Sequence, residues 1–157
     1  MTVREKEPKD QPWIEKLLDE RWGGKGQVVV HGEIFDARLL PALIAGEREG
    51  LATFQIRQTK VVAELISLDA IMANRGVETA LIEALISRLR DAGVEVLRVT
   101  TTNDNLNALR FYQRRGFRMK ELRPGAVDES RRIKPSISMI GEYGIPIRDE
   151  IELERLI

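Results

Sequence analysis

A long apolar run followed by a helix that begins at a glycine constrains the fold most. Residues 61–71 are mostly apolar or β-branched and predict a buried strand. From Gly76 the period becomes helical, and it continues to Gly93, which is typical of a C-terminal cap. The apolar face of this helix comprises Val77, Ala80, Leu81, Ala84, Leu85 and Leu89. A strand, a turn and an amphipathic helix in this order predict an α/β unit.

The same alternation continues through the middle of the chain. Residues 94–100 predict a strand, residues 104–115 a second amphipathic helix closed by Gly116, and residues 117–121 the next strand. Consecutive strands that are joined through helices pair in parallel by crossover connections. We therefore expect a parallel βαβ part in the sheet.

The N-terminal half contains shorter apolar runs. Apolar positions at helical spacing after Asp10 predict a first helix that ends at Gly23 and Gly24. Apolar runs follow at residues 28–30, 39–45, 51–56 and 60–71, with hairpin loops expected at 46–50 and 57–60. Because Pro41 cannot donate a ladder hydrogen bond, the second run is expected to start late or to lie at a sheet edge. These runs predict an antiparallel meander.

The C-terminal part is less regular. Residues 123–147 contain Pro124, Gly125 and a charged stretch, and predict an irregular loop or lid before a strand-like alternation at 148–157. Arg131, Arg132 and Lys134 could recognise an acidic acceptor or form a solvated face, which is usual for charge runs. The whole chain, residues 1–157, is expected to form one domain of the α/β class (α+β by layer): a mixed central sheet with an N-terminal antiparallel meander and a parallel βαβ part, flanked by helices.

Charge and residue usage exclude several functions. Lys+Arg and Asp+Glu number 25 each, so no net charge attracts nucleic acid or an anionic membrane. With no cysteine and one histidine, we expect neither a thiol nucleophile nor a metal site. The charged N-terminus does not resemble a signal peptide, and no apolar run is long enough to span a bilayer. A cytoplasmic protein is expected.

The turn before the helix that starts near Gly76 is a candidate anion site. The first backbone N–H groups of a helix are unpaired and carry the positive end of the helix dipole, which suits a pyrophosphate. Many such turns bind nothing, however, so the turn alone leaves a plain α/β connection open.

Two blocks of residues form a more specific pattern. The first, residues 75–80, resembles the acyl-CoA motif Arg/Gln-x-x-Gly-x-Gly/Ala of the GNAT superfamily of acetyltransferases. The second resembles that family's Asn-x-x-Ala-x-x-x-Tyr-x-x-x-Gly-Phe block through Asn105, Ala108, Tyr112, Gly116 and Phe117. Their order and separation also match, and the resemblance is closest over residues 61–118.

The resemblance implies acetyl-CoA as co-substrate. In the family, the strand before the turn separates from its neighbour and offers main-chain groups to the pantetheine arm, here at Leu68, Asp69 and Ala70. Asn105 would hydrogen-bond the pantetheine region, and it could also cap its helix. Tyr112 would be the general acid that protonates the departing thiolate, with a half-buried structural tyrosine as the alternative. The pyrophosphate would lie on the N–H groups of Arg75, Gly76, Val77, Glu78, Thr79 and Ala80.

Glu78 departs from the motif, which has a glycine at this position. A carboxylate a few ångströms from a phosphate, at an effective dielectric constant of about 20, costs on the order of a few kcal/mol. That cost is avoided if the side chain turns into water, where a glutamate in the first turn of a helix is favourable. We expect weaker binding of CoA than in a relative with glycine.

Direct attack by an amine also needs a group that accepts the amine's proton. Glu64 is the candidate base, because some family members resembling this chain carry a glutamate base at this place on the strand. Strand alternation puts it on one face with Ile66 and Leu68, where desolvation would raise its pKa. The alternative is a glutamate at the mouth of the site, paired with a lysine such as Lys60.

Three other titratable residues are weaker candidates for the base: Glu33, Asp69 and His31, of which His31 at a strand end is more often structural. The expected function is transfer of the acetyl group of acetyl-CoA to a small-molecule or protein amine. The alternatives are a non-catalytic acyl-CoA-binding or interaction module in which Glu78 has degraded the turn, and an unrelated nucleotide binder. The acceptor and the oligomeric state stay open, with a homodimer among the expectations.

Overall fold

The computed structural model of the chain describes residues 1–57, 59 and 61–157, in which a run of strands precedes an alternation of helices and strands. The strands are β1 Val3–Glu5, β2 Gln27–Val30, β3 Glu33–Asp36, β4 Ala42–Ala45, β5 Gly50–Ile56, β6 Val62–Ala70, β7 Val96–Thr102, β8 Arg118–Arg123 and β9 Glu150–Leu156. The helices are α1 Gln11–Trp22, α2 Val77–Asp91, α3 Leu106–Arg114 and α4 Ala126–Ile133. None of these helices is both long and apolar enough to cross a membrane.

Seven of the strands form one mixed sheet in the order β1-β4-β5-β6-β7-β9-β8. The strands from β1 to β6 pair antiparallel, as the meander predicts, and β6 pairs with β7 in parallel. The C-terminal strand β9 lies between β7 and β8 and is antiparallel to both. The expected α/β class is therefore confirmed, although β7 and β8 are not direct neighbours.

Two hydrophobic clusters cover the two faces of the sheet. On one face, α2 and α3 pack through residues such as Leu81, Leu85 and Leu109. On the other, α1 packs through Ile14 and Leu18 onto the first half of the sheet. Burial of apolar area contributes about 25 cal/mol per Å² to the free energy of folding. The apolar contacts with the sheet therefore stabilise both helix layers.

The region from residue 27 to residue 36 forms a hairpin that the sequence did not predict. Strands β2 and β3 make a separate two-stranded sheet, with Gln27 opposite Asp36. His31 and Gly32 form its turn with positive φ of 40° and 79°. Positive φ at both central residues is typical of a tight hairpin turn. The predicted loop at 57–60 and the predicted Lys60 partner of Glu64 lie in part outside the described residues, because Gln58 and Lys60 are not described.

The prediction of an irregular loop or lid across residues 123–147 is wrong for its first half. Gly125 has φ of 72° and precedes α4, which buries Val127 and Ser130. Beyond this helix, Lys134 is 8% exposed and its Nζ donates to the carbonyl oxygens of Trp22 and Gln27, both at 2.6 Å. The basic cluster is therefore partly structural, because Arg131 also donates to main-chain carbonyl oxygens.

Candidate active site

Strands β6 and β7 separate at the centre of the sheet. Their parallel pairing runs from Val62 opposite Val96 to Leu65 opposite Val99 and then stops, while β7 continues to pair with β9. A cleft of about 860 Å³ opens where the pairing stops, between the end of β6, the turn before α2, β7 and α3. A V-shaped opening of this kind exposes unpaired main-chain groups, which can bind a ligand without breaking the sheet.

A β-bulge determines which side chains of β6 face this cleft. Leu65 lies opposite Phe54 and Ser67 lies opposite Thr53, so Ile66 is the additional residue. As a result, Leu68 packs with the α2 cluster, whereas Ile66 packs with the α1 cluster. The expectation that Glu64 shares a face with both Ile66 and Leu68 is therefore wrong, because simple alternation does not hold across a bulge.

The end of β6 divides its predicted site residues between two environments. Leu68 and Ala70 line the cleft. Asp69 is not among the lining residues; its Oδ2 accepts a hydrogen bond from Trp22 Nε1 at 2.9 Å. Burial raises the pKa of Asp69, and the Trp22 hydrogen bond opposes that rise. Trp22 itself lines the cleft, so Asp69 lies directly behind one of its walls.

The turn before α2 has the geometry of an anion site. Gly76 adopts a left-handed conformation with φ of 75°, which favours glycine. The Ala80 N–H donates to Gly76 O at 3.0 Å, so the N–H groups of Val77, Glu78 and Thr79 precede this bond in the first turn. Those three residues line the cleft together with Arg75 and Gly76, whereas Ala80 does not.

Glu78 is partly buried and is one of the residues that line the cleft. Burial and the charge of Asp69 raise the pKa of Glu78, and the charges of Arg115 and Arg21 oppose that rise. Burial thus makes the charged form of this carboxylate less favourable than it would be in open water.

Helix α3 places two of the predicted residues on the opposite wall. Asn105 caps the helix, since its Oδ1 accepts from the Ala108 N–H at 3.1 Å, and it also lines the cleft. Tyr112 is 7% exposed and packs edge-on against Phe111 and Phe117, with ring centroids 5.3 Å apart in both pairs.

The hydroxyl of Tyr112 forms no hydrogen bond to any residue that the structure describes, and the side chain lines the cleft. Burial strongly raises the pKa of Tyr112, and the negative charges of Glu78 and Asp69 raise it further. The phenol therefore stays protonated at neutral pH, as a proton donor must.

Arg115 is a cleft residue that the sequence did not predict. Its Nη2 and Nε donate to Thr79 Oγ1 at 2.6 and 3.1 Å, and its guanidinium lies 3.7 Å from the centre of the Phe111 ring. This arrangement fixes a positive charge beside the first turn of α2. Arg110 and Arg114 line the same cleft. The sequence signal that could have found these three arginines is their grouping near the end of one helix, which is typical of a site for an anion.

Glu64 lies elsewhere, beneath the β2–β3 hairpin. It is 4% exposed, is not among the residues lining the cleft, and its Oε2 lies 2.8 Å from His31 Nε2. Burial would raise its pKa, but the His31 hydrogen bond and the charges of His31, Arg57 and Arg98 outweigh burial, so the pKa of Glu64 is lowered. The expectation of a raised pKa is therefore wrong.

The other two weaker candidates also belong to this hairpin. Glu33 pairs with Arg57 at 2.8 Å and lies 3.5 Å from His31 Nδ1. The main-chain N–H of His31 donates to the Glu150 carboxylate at 3.1 Å. These contacts attach the hairpin to the sheet, which agrees with the structural role expected of His31. Within residues 1–57, 59 and 61–157, no group of three or more His, Cys, Asp or Glu residues is arranged to hold a metal ion.

Comparison with known proteins identifies the fold. The model of the Acetyltransferase (GNAT) family matches residues 6–117. The Bacillus subtilis (strain 168) proteins YdhI and YxbD are 37% and 34% identical over 142 and 150 residues, which cover 88% and 93% of this chain and 87% and 91% of theirs.

Among solved structures, a GNAT family acetyltransferase from Elizabethkingia anophelis with acetyl-CoA bound has a TM-score of 0.69 at 17% identity, covering 99% of this chain and 97% of that one. At this identity the match shows the shared fold alone.

Proposed function

Because the chain belongs to the GNAT acetyltransferase family, we propose that it transfers the acetyl group of acetyl-CoA to a small-molecule or protein amine by direct attack. The observation that carries the proposal is the meeting of three features at one cleft: the separated strands β6 and β7, the open first turn of α2, and the buried phenol of Tyr112. The separated strands would hold the pantetheine arm of the co-substrate, and the first turn of α2 would hold its pyrophosphate. The phenol of Tyr112 would lie near its sulfur.

The residues present fit acetyl-CoA in charge as well as in shape. N–H groups of the first turn of α2 and the Arg115 guanidinium present positive charge on one side of the cleft, where a pyrophosphate is best stabilised. Leu68 and Ala70 would offer main-chain groups to the pantetheine arm, and Asn105 would be within the same lining. A cleft of about 860 Å³ lies within the range of ordinary ligand sites.

Tyr112 is proposed as the general acid. Its phenol lines the cleft and is protonated at neutral pH, and no residue that the structure describes forms a hydrogen bond with the hydroxyl. The Y112F variant is expected to lower kcat by about 100-fold or more and to leave the dissociation constant of acetyl-CoA unchanged. A Y112F variant with the wild-type kcat would assign the tyrosine a packing role only.

Thiol release with a panel of amines tests the proposed function. The chain has no cysteine, so a thiol reagent reports only the released CoA. Calorimetric binding of acetyl-CoA, followed by release with at least one primary amine, is the expected result. The second candidate is a non-catalytic acyl-CoA-binding module, which the carboxylate of Glu78 within the cleft favours. Binding without release under every acceptor condition supports that module.

A further inference from the structure

We infer that Arg110 and Arg114 of α3 bind the ribose 3′-phosphate of the co-substrate. The two arginines would thereby make the protein specific for CoA over dephospho-CoA, which lacks this phosphate group. The inference rests on the proposed use of acetyl-CoA. It goes beyond that function, because the pyrophosphate, the pantetheine arm and the thioester are the same in both forms of the co-substrate.

The cleft carries an excess of positive charge, although the chain as a whole has none. The charged residues of its lining are four arginines and one carboxylate: Arg75, Arg110, Arg114, Arg115 and Glu78. In the whole sequence, Lys+Arg and Asp+Glu number 25 each, so the excess is local to the cleft. A concave site lined mainly by one sign of charge attracts a ligand of the opposite sign. An anion with more than one phosphate group fits such a lining.

Arg115 is already held by hydrogen bonds within the protein. Its Nε and Nη2 atoms donate to Thr79 Oγ1, and its Nη1 atom donates to the main-chain oxygen of Phe111 at 3.0 Å. These bonds fix the guanidinium beside the first turn of α2, where the proposed function places the pyrophosphate. Three of its five N–H donors are thus engaged, so Arg115 has little capacity for a further phosphate group.

Arg110 and Arg114 differ from Arg115 in their contacts. Neither side chain forms a hydrogen bond or an ion pair with any residue that the structure describes, and both line the cleft. Their spacing of four positions in α3 places the two side chains on the same side of the helix. Two like charges at this spacing repel each other, and an anion bound between them removes that repulsion. The pair therefore has the donors and the position to bind a third phosphate group.

The chemistry of CoA supplies that third group. Besides its pyrophosphate, CoA carries a phosphate monoester on the ribose. Such a group has a second pKa of about 6 and bears about 1.5 to 2 negative charges at neutral pH. A guanidinium binds phosphate oxygens through parallel N–H···O bonds, and two guanidiniums on one side of a helix can bind one phosphate group together.

The exposure of the α3 side chains agrees with the two ends of the co-substrate. Tyr112 lies between the two arginines in the sequence but on the buried side of the helix, where it is 7% exposed. Arg110 and Arg114 are exposed and line the cleft, so they lie at its opening to solvent. The ribose phosphate is charged and loses little hydration at such an opening, whereas the acetyl group is apolar and suits the buried end.

Arg90 provides the contrast that the experiment needs. It is an exposed arginine in the last turn of α2 and does not belong to the cleft lining. Exposed arginines on helices are common, so exposure alone does not indicate a ligand. Arg110 and Arg114 are distinguished by their place in the lining. Replacing Arg90 therefore removes the same charge from a helix without changing the cleft.

The experiment is calorimetric titration of the whole chain with CoA and with dephospho-CoA, for the wild type, R110Q/R114Q and R90Q. Both ligands carry the same pyrophosphate, so the influence of Glu78 and Arg115 cancels in the ratio of their dissociation constants. The wild type is expected to bind CoA about tenfold more tightly at low salt, which corresponds to about 1.4 kcal/mol. R110Q/R114Q is expected to abolish this preference by weakening the binding of CoA alone, and R90Q is expected to keep it.

Salt provides a second readout, which a merely structural role of the two arginines would not change. The screening length falls from about 10 Å at 0.1 M salt to about 3 Å at 1 M, so the preference of the wild type for CoA should shrink at high salt. A preference that is independent of salt would contradict binding by exposed charges.

Equal dissociation constants of the wild type for the two ligands overturn the inference, as does an equal loss of affinity for both in R110Q/R114Q or a loss of the preference in R90Q. Thermal melts establish that each variant is folded, and the single variants R110Q and R114Q provide the same test if the double variant is not. A wild type that prefers CoA but releases no thiol from acetyl-CoA with any amine overturns the proposed function alone. Thiol release without a preference overturns only the inference, so the two failures are distinguishable.

Discussion

Replacing Gly50 by alanine tests how closely the sheet approaches the first turn of α2. Gly50 begins β5, opposite Ala70, and is buried. An added Cβ would overlap the Val77 Cγ1 atom and would lie 3.0 Å from Asp69 O and 3.1 Å from Leu81 Cδ1. The φ of Gly50 is not positive, so alanine brings no backbone strain and the effect is purely steric.

The expected loss of stability follows from overpacking. Extra methyl groups in a well-packed core cost about 1–3 kcal/mol. For a domain of this size, each kcal/mol lowers Tm by about 2–4 °C, so Tm should fall by about 2–12 °C. The easiest relief moves Val77 outward, and with it the N–H groups of the turn. The KM for acetyl-CoA should then rise about tenfold, which corresponds to about 1.4 kcal/mol of lost binding.

Thermal melts and acetyl-CoA kinetics of a double-mutant cycle provide the measurement. V77A removes the methyl group that the new Cβ would overlap, although it leaves a small cavity when made alone. The combined G50A/V77A variant should therefore be more stable, by about 1 kcal/mol or more, than the sum of the two single effects predicts. Strictly additive losses, or a G50A variant with the wild-type Tm and KM, would refute the steric reasoning.

Two further predictions concern charged contacts. R115A removes the guanidinium that is bonded to Thr79, and it should raise the KM for acetyl-CoA about five- to tenfold with little change in kcat. R118A, on the exposed strand β8, is the control and should leave KM and kcat unchanged. Equal effects of the two variants on KM would contradict a phosphate-binding role of Arg115. H31N keeps a residue that tolerates positive φ but removes the imidazole that is bonded to the buried Glu64, leaving Arg57 at 3.4 Å, and should cost about 1–3 kcal/mol. The pKa of His31 is raised, so its contribution to stability is fully present below its ordinary pKa of 6.5 and is lost as pH rises through the raised pKa. The pKa of Glu64 is lowered, so its contribution to stability is present above its ordinary pKa of 4.5 and is lost as pH falls through the lowered pKa. The Tm difference between wild type and H31N should thus be largest between pH 4.5 and pH 6.5. A difference that is independent of pH would contradict an ion pair between His31 and Glu64.

The sequence predicted the elements whose signals are local. Helix α2 was readable from its apolar period and its flanking glycines, and β4 starts at Ala42, directly after Pro41. Helix α4 was missed because it is short and highly charged, with few apolar residues to indicate a buried face. The place of β9 between β7 and β8 was also missed, because the pattern within a strand does not specify which strand lies beside it.

The candidate site also has parts that the sequence predicted and parts that it did not. The motif positions Arg75, Asn105 and Tyr112 were found because their spacing along the chain is fixed, and the structure brings them to one cleft. The prediction for the environment of Glu64 was wrong for a different reason. Its partner His31 is 33 residues away in the sequence and contacts it only because the hairpin folds over the sheet. Burial can be predicted from apolar neighbours, but the sign of a pKa shift depends on charges that arrive from other elements.

The consequence of Glu78 depends on which neighbour is considered. Toward the first turn of α2, its negative charge competes with a pyrophosphate, and Arg115, bonded to Thr79, offsets part of that repulsion. Toward Tyr112, the same charge adds to the effect of burial, which raises the pKa of the phenol. A glycine at this position would avoid the first effect and could not provide the second. E78Q keeps the size of the side chain and removes its charge, so it is expected to lower the dissociation constant of acetyl-CoA; an unchanged or higher constant would contradict the expected repulsion.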